Sequence, residues 1–240
     1  MNRFQVERGC AWSGVIGVIL FFSGFVFSHF VPPPSPSLTQ EQVVFHYQTY
    51  ANEIRGAMVI FIISGMFVAP MFGLISAQMK RMQGVSPALA YAQLCAGATN
   101  AMFFFIPGLL FVVTAYRPDR NPELTFLLND LAWIFAVLPW PPAFVQNMVF
   151  ALAVLSDRTA KPLFPRWLAY LNIWVSLAYV PGGLLPFFKN GPFAWNGILV
   201  FWLAGTAFII WFIAMTAMLL KAIARQERAE NQDSASNTAV

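Results

Sequence analysis

The sequence has few charged residues, and this scarcity excludes an ordinary soluble domain. Charged residues make up 10% of the 240 residues, whereas hydrophobic residues make up 58% and the mean hydropathy is +0.63. A soluble domain carries about 25% charged residues. The charges also lie in short clusters between long apolar runs, which is typical of chains with several membrane spans of roughly 20 residues each.

Histidine and cysteine are equally scarce, which argues against most metal and haem chemistry. The two histidines, His29 and His46, are too few for a His-based metal or haem site. No spacing pairs Cys10 with Cys95, and no CxxC motif occurs. The chain also has no P-loop, no GxGxxG after a strand, no GxSxG and no HExxH. We therefore predict no bound metal and no cofactor.

Six apolar runs remain, each long enough to be a membrane helix. They cover residues 10–31, 54–79, 87–116, 124–155, 166–188 and 193–220. The first run is about 22 residues long and no small-x-small cleavage site follows it, so we expect an uncleaved span rather than a signal peptide. The predicted fold is an all-α integral membrane bundle of about six helices within residues 1–222, several of them kinked by proline. The polar residues 223–240 predict a disordered cytoplasmic tail.

The distribution of Lys and Arg predicts the orientation. Of these 14 residues, ten lie at the termini and in the second and fourth loops, and four lie on the other side. The positive-inside rule then places both termini in the cytoplasm, in a plasma or inner membrane. The same rule explains the net charge of +4, so we predict the lipid bilayer and no nucleic acid as a partner.

Amides are the polar residues that the pattern places deep in the spans. No Asp, Glu, Lys, Arg or His falls in the deep interior, which argues against a proton pump or an ion-coupled carrier. Asn100 lies in span three, Asn147 in span four and Asn172 in span five. Two interpretations remain open for these side chains: hydrogen bonds between helices, or the polar lining of a ligand cavity.

Span four carries the strongest pattern. On an ideal wheel, six of its residues fall within an arc of roughly 100°, namely Asp130, Trp133, Val137, Trp140, Phe144 and Asn147. This arc predicts either an aromatic slot for an apolar ligand or ordinary core packing. Pro139, Pro141 and Pro142 interrupt the same helix near its centre. Broken helices recur at the binding sites of transporters.

The remaining charged candidates lie where spans enter the membrane from the outer side. Glu53 and Arg55 begin span two, and Asp130 begins span four. We expect Arg55 to be the opposite charge for Asp130. A partly buried carboxylate there would suit a general acid or base, and an interfacial ion pair is the alternative interpretation.

Three functional hypotheses follow from these observations. The leading hypothesis is that the protein binds a small lipophilic molecule in an intramembrane cavity. If the protein is an enzyme, we expect a cofactor-independent isomerase or cyclase with Asp130 and Glu53 as catalytic residues. The alternatives are a non-catalytic accessory or scaffold subunit, which would have a membrane partner subunit, and a facilitator for an uncharged solute. The expected ligand-binding residues are Trp133, Trp140, Phe144, Asn147, Asn100, Asn172 and Arg55.

Overall fold

Helices make up most of the part of the protein that the structure describes. The computed structural model describes residues 2–238, with side chains for residues 2–234, and no strand occurs within these residues. Six helical segments are long and apolar enough to cross a bilayer: Arg3–Phe27, Ala51–Met79, Pro87–Tyr116, Pro122–Ser156, Arg166–Phe187 and Ile198–Ser234. The predicted all-α, six-span membrane bundle is confirmed.

The first span begins before the apolar run does. Helix α1 covers Arg3–Phe27 and starts at a capping box formed by Asn2 and Gln5. A capping box satisfies backbone N–H groups that would otherwise lack partners, so the helix can start in polar sequence. After a proline-rich loop, α2 (Gln40–Thr49) forms a short helix outside the spans and packs on span four.

Spans two and three respond differently to proline. Helix α3 (Ala51–Met79) runs without a break through Pro70. Span three consists of α4 (Pro87–Ala101), a 3-10 turn at Met102–Phe104, and α5 (Ile106–Tyr116).

Spans four and five are both discontinuous. Span four divides into α6 (Pro122–Val137) and α7 (Pro141–Ser156). The interruption lies at Pro139, Pro141 and Pro142, where the sequence predicts it. Helix α8 (Arg166–Tyr179) changes at Val180 into a 3-10 helix, Val180–Phe187.

Span six and the tail form one long helical segment through Thr238, whereas the sequence predicts disorder for residues 223–240. A π-helix at Ile198–Trp202 leads into α9, Leu203–Thr238. Past the apolar part of α9, Glu230 pairs with Arg3 at 2.7 Å and Glu227 pairs with Arg8. These ion pairs tie the tail to α1, which the local composition does not reveal. Residues 239–240 lie outside the described residues.

The spans pack in a ring. Contacts join α1 to α3, α3 to α4 and α5, α4 to α7, α5 to α6, α7 to α8, α8 to α9, and α9 back to α1. Because Arg3, Arg8, Glu227 and Glu230 meet at one end of the bundle, we call that end the terminal face. Phe21 lies inside the ring with its phenyl ring 4.6 Å from that of Phe61 and 5.1 Å from that of Phe104.

Candidate functional site: a cavity at the helix breaks

A cavity of about 120 Å³, open on one side, lies among five of the six spans. Its lining comes from α1, the end of α4 and the turn after it, the two halves of span four, the junction of span five, and the start of span six. Small-molecule sites have volumes of about 300–1,000 Å³, so a ligand here would be small or would extend through the open side.

Irregular helical stretches of four spans border this cavity. Phe103 lies in the 3-10 turn of span three, Trp140 in the interruption of span four, Gly182 after the junction of span five, and Phe201 in the π-helix of span six. Breaks in membrane helices free backbone groups and are tolerated where they are buried in protein or line a cavity. The fold therefore concentrates its irregular backbone around one space.

The wall of the cavity is mainly aromatic. Phe208 and Phe212, one turn apart on α9, have ring centroids 4.8 Å apart, and Trp211 lies 4.9 Å from Phe212. Trp140 contributes a further ring, and so does Phe22, whose ring centroid lies 6.2 Å from that of Phe208. Such a wall suits an apolar ligand, because large aromatic surfaces bury well against hydrocarbon.

Three amides and one hydroxyl supply the polar part of the lining. The Asn100 Nδ2 donates a hydrogen bond of 3.3 Å to the Gln146 Oε1, which joins α4 to α7. Asn147 and Tyr179 also line the cavity, and no hydrogen bond to either side chain occurs within the described residues. The lining contains no Asp, Glu, Lys, Arg or His side chain among residues 2–234.

Asn172 does not line the cavity, although it is among the predicted ligand-binding residues. Its Oδ1 accepts a hydrogen bond of 2.7 Å from Trp211 Nε1, and its Nδ2 donates to the Leu168 carbonyl at 2.8 Å. Both Asn172 and Trp211 are buried. Asn172 therefore joins α8 to α9 and orients an indole ring of the cavity wall.

The predicted aromatic residues of span four separate in the structure. Trp140 lines the cavity, and Phe144 packs edge-on against it at 5.8 Å without lining the space. Trp133 lies elsewhere, fully buried and stacked on Trp195 with ring centroids 6.1 Å apart. Of the predicted ligand-binding residues, the cavity brings together Trp140, Asn147 and Asn100.

The predicted charged residues are not part of this cavity. The Arg55 guanidinium bonds to the Asn52 side chain and the Ala51 carbonyl, and it forms no ion pair within the described residues. The expected Asp130–Arg55 pairing is therefore wrong, since Arg55 is held by its own helix. Asp130 accepts a 3.5 Å hydrogen bond from Asn129 beside it. Glu53 is exposed.

A second polar cluster lies at the end of the bundle opposite the terminal face. Tyr47 donates a hydrogen bond of 3.1 Å to the Asn129 Oδ1, and burial raises the pKa of Tyr47, so it remains a neutral donor. His46 stacks on Phe30 at 5.3 Å. Burial lowers the pKa of His46, the positive charge of His29 lowers it further, and a hydrogen bond to the Ser28 backbone partly offsets both effects.

Spans one and six contribute lining residues that are not among those predicted from the sequence. A signal for them exists in span six, because Ala204, Phe208 and Trp211 are spaced by four and three residues and so share one helix face. Phe22 of span one carries no comparable signal, since that span is apolar on all sides.

No three His, Cys, Asp or Glu side chains are grouped as metal ligands among the described residues. Comparison of the chain with family models, with curated proteins and with solved structures gives no match. The geometry of the cavity is therefore the basis for assigning a function.

Proposed function

We propose that this multi-pass membrane protein binds a small lipophilic molecule in the cavity at its helix breaks. One observation carries the proposal: irregular helical stretches of four spans converge on a single, mainly aromatic cavity. Helix packing alone does not require this convergence, whereas the binding sites of transporters typically lie at discontinuous helices.

The chemistry of the lining favours binding over acid–base catalysis. General acids and bases must reach the reacting group directly or through one water, and the described lining offers no ionisable carboxylate, amine or imidazole. Asp130 and Glu53, the candidates for an isomerase or cyclase, lie outside the lining. We therefore propose ligand binding, and not acid–base catalysis, as the function of this cavity.

The proposed orientation places the terminal face in the cytoplasm. Ten of the 14 Lys and Arg residues belong to the side of the two termini, and the positive-inside rule assigns such a side to the cytoplasm. Contacts of Arg3 and Arg8 with the tail, and of Arg81 with Glu7, gather basic residues at this end. The cavity would then lie within the bilayer of a cell membrane.

Gly205 offers a direct test. It lines the cavity, and a Cβ atom at this position would meet no atom within 4 Å, so we expect the side chain of Gly205→Leu to occupy the cavity without a clash at its Cβ. Gly56 on α3 is the matched control, because it too has nothing within 4 Å but is exposed and outside the lining.

The measurement is native mass spectrometry of protein purified from membranes in mild detergent. We expect wild type and Gly56→Leu to retain a bound lipophilic molecule and Gly205→Leu to lose it. Equal retention by all three proteins would remove the cavity as the binding site.

A further inference from the structure

Asn147 is a buried amide with no hydrogen-bond partner among the described residues. Its side chain is 3% exposed, and the cavity is the space that it borders. An amide in an apolar environment without a hydrogen bond costs several kcal/mol on the water-to-alkane scale, and hydrocarbon offers no water to compensate. A polar group of a ligand would satisfy it.

The neighbouring amides Asn100, Gln146 and Asn172 each form at least one hydrogen bond. Asn100 donates to Gln146, and Asn172 accepts from Trp211. The Nε2 of Gln146 has no hydrogen-bond partner within the described residues, but it faces α4, where it would lie 3.2 Å from a Cβ added to Gly97. Among the amides that line the cavity, Asn147 is the one with neither polar atom in a hydrogen bond within the described residues.

A second polar group on the wall is the hydroxyl of Tyr179. Tyr179 lines the cavity at the end of α8, next to the junction with the 3-10 helix, and no hydrogen bond to its hydroxyl occurs within the described residues. An amide and a phenol can each donate and accept a hydrogen bond. Together they match a neutral oxygen function.

The rest of the lining restricts the ligand further. Since no charged side chain lines the cavity, an ionic head group would be buried without a counter-charge, which is strongly unfavourable. The rings of Trp140, Phe208 and Phe212 provide an apolar surface for the remaining part of the molecule.

Building on the proposed function, we infer that the ligand is a neutral amphiphile whose hydroxyl or carbonyl oxygen is bound by the Asn147 amide, with the Tyr179 hydroxyl as a second partner. The apolar body of this ligand lies against the aromatic wall. Fatty acids and other charged amphiphiles are excluded from the site.

The test uses four photoactivatable probes that share one diazirine-bearing chain: a hydrocarbon, an alcohol, a methyl ketone and a carboxylic acid. Full-length protein in nanodiscs is labelled at alkaline pH, where the acid is ionised, and peptide mass spectrometry measures labelling of the lining residues. The alcohol and ketone distinguish a hydroxyl ligand from a carbonyl ligand.

We expect the alcohol, the ketone or both to label the lining more strongly than the hydrocarbon, and the acid to label it least. Asn147→Leu, which keeps the size of the side chain, should reduce that preferred labelling about two- to ten-fold, the range for loss of one neutral hydrogen bond. Labelling by the hydrocarbon should not change. If Asn147 had only a structural role, its replacement would change labelling by the hydrocarbon as well.

Tyr179→Phe provides a second variant that removes only an oxygen atom. Tyr170→Phe is its matched control, since Tyr170 lies on the same helix and is 53% exposed. We expect a smaller loss of alcohol or ketone labelling in Tyr179→Phe than in Asn147→Leu, and none in Tyr170→Phe.

The possible failures separate the two proposals. Equal labelling by hydrocarbon and oxygen-bearing probes, unchanged in both variants, would overturn the inference about Asn147 and leave the binding function intact. Strong labelling by the acid would overturn the requirement for neutrality. Absence of lining labels with every probe would overturn the binding function itself.

Discussion

The contact between α1 and α3 depends on glycine, and Gly24→Ala tests how closely these helices must approach. A Cβ added at Gly24 would lie 2.8 Å from the Phe61 Cβ and 3.1 Å from the Ala57 carbonyl oxygen. Both atoms are fixed to the backbone of α3, so a rotamer change cannot relieve the clash. The two helices would have to move apart.

The expected magnitude follows from two opposing effects. Overpacking of this kind costs about 1–3 kcal/mol, whereas replacing a helical glycine by alanine gains up to about 1 kcal/mol of helix propensity. Gly9→Ala on the same helix gains the same helix propensity without a steric clash, because nothing lies within 4 Å of its added Cβ. We therefore expect Gly24→Ala to be about 1–3 kcal/mol less stable than Gly9→Ala.

Reversible unfolding by SDS in mixed micelles, followed by circular dichroism, measures this difference. Gly14→Ala provides an intermediate case, because its added Cβ would meet the flexible side chain of Met71, which can move aside. Equal stability of the Gly24→Ala and Gly9→Ala proteins would refute the close approach of α1 and α3.

Two further predictions concern buried polar groups. Asn172→Leu leaves the buried Trp211 N–H without its acceptor, so we expect the free energy of unfolding to fall by about 1–2 kcal/mol in the same assay. The double variant with Trp211→Phe should lose less than the sum of the two single losses. Additive losses would contradict the pairing. The pKa of His46 is lowered in the folded state, so protonation of its imidazole favours the unfolded state. Thermal stability should therefore fall as the pH drops below about 6.5, the unperturbed pKa of histidine. His46→Gln should flatten this dependence and His29→Gln should retain most of it, because burial is the larger cause; an unchanged pH profile in His46→Gln would contradict the assignment.

The six spans could be predicted because hydropathy alone determines them. A run of about 20 apolar residues has few alternatives to a membrane helix, and the interruption of span four follows from Pro139, Pro141 and Pro142. The break, however, makes a helical wheel of the whole span inaccurate. An ideal wheel assumes one uninterrupted axis, so it placed Trp133 on the same face as Trp140, whereas the structure stacks Trp133 on Trp195.

The cavity could be predicted only in part, because its lining is a tertiary property. Asn147 and Trp140 stood out as a polar residue and a large aromatic residue in a broken span. Phe22 and Phe208 are two of the 25 phenylalanines, and nothing local distinguishes those that face a cavity from those that face lipid. The helical tail is not predictable from local sequence for a similar reason, since the ion pair between Arg3 and Glu230 joins residues 227 positions apart.

The binding of a lipophilic molecule among the helix breaks is tested most directly by mapping where a photoactivatable hydrocarbon attaches to the protein in nanodiscs. We expect labels on lining residues such as Phe22, Val137 and Phe208, and their loss in Gly205→Leu but not in Gly56→Leu. Labels confined to residues on the outer surface, such as Trp174, which is 71% exposed, with no difference between the two variants, would contradict the account.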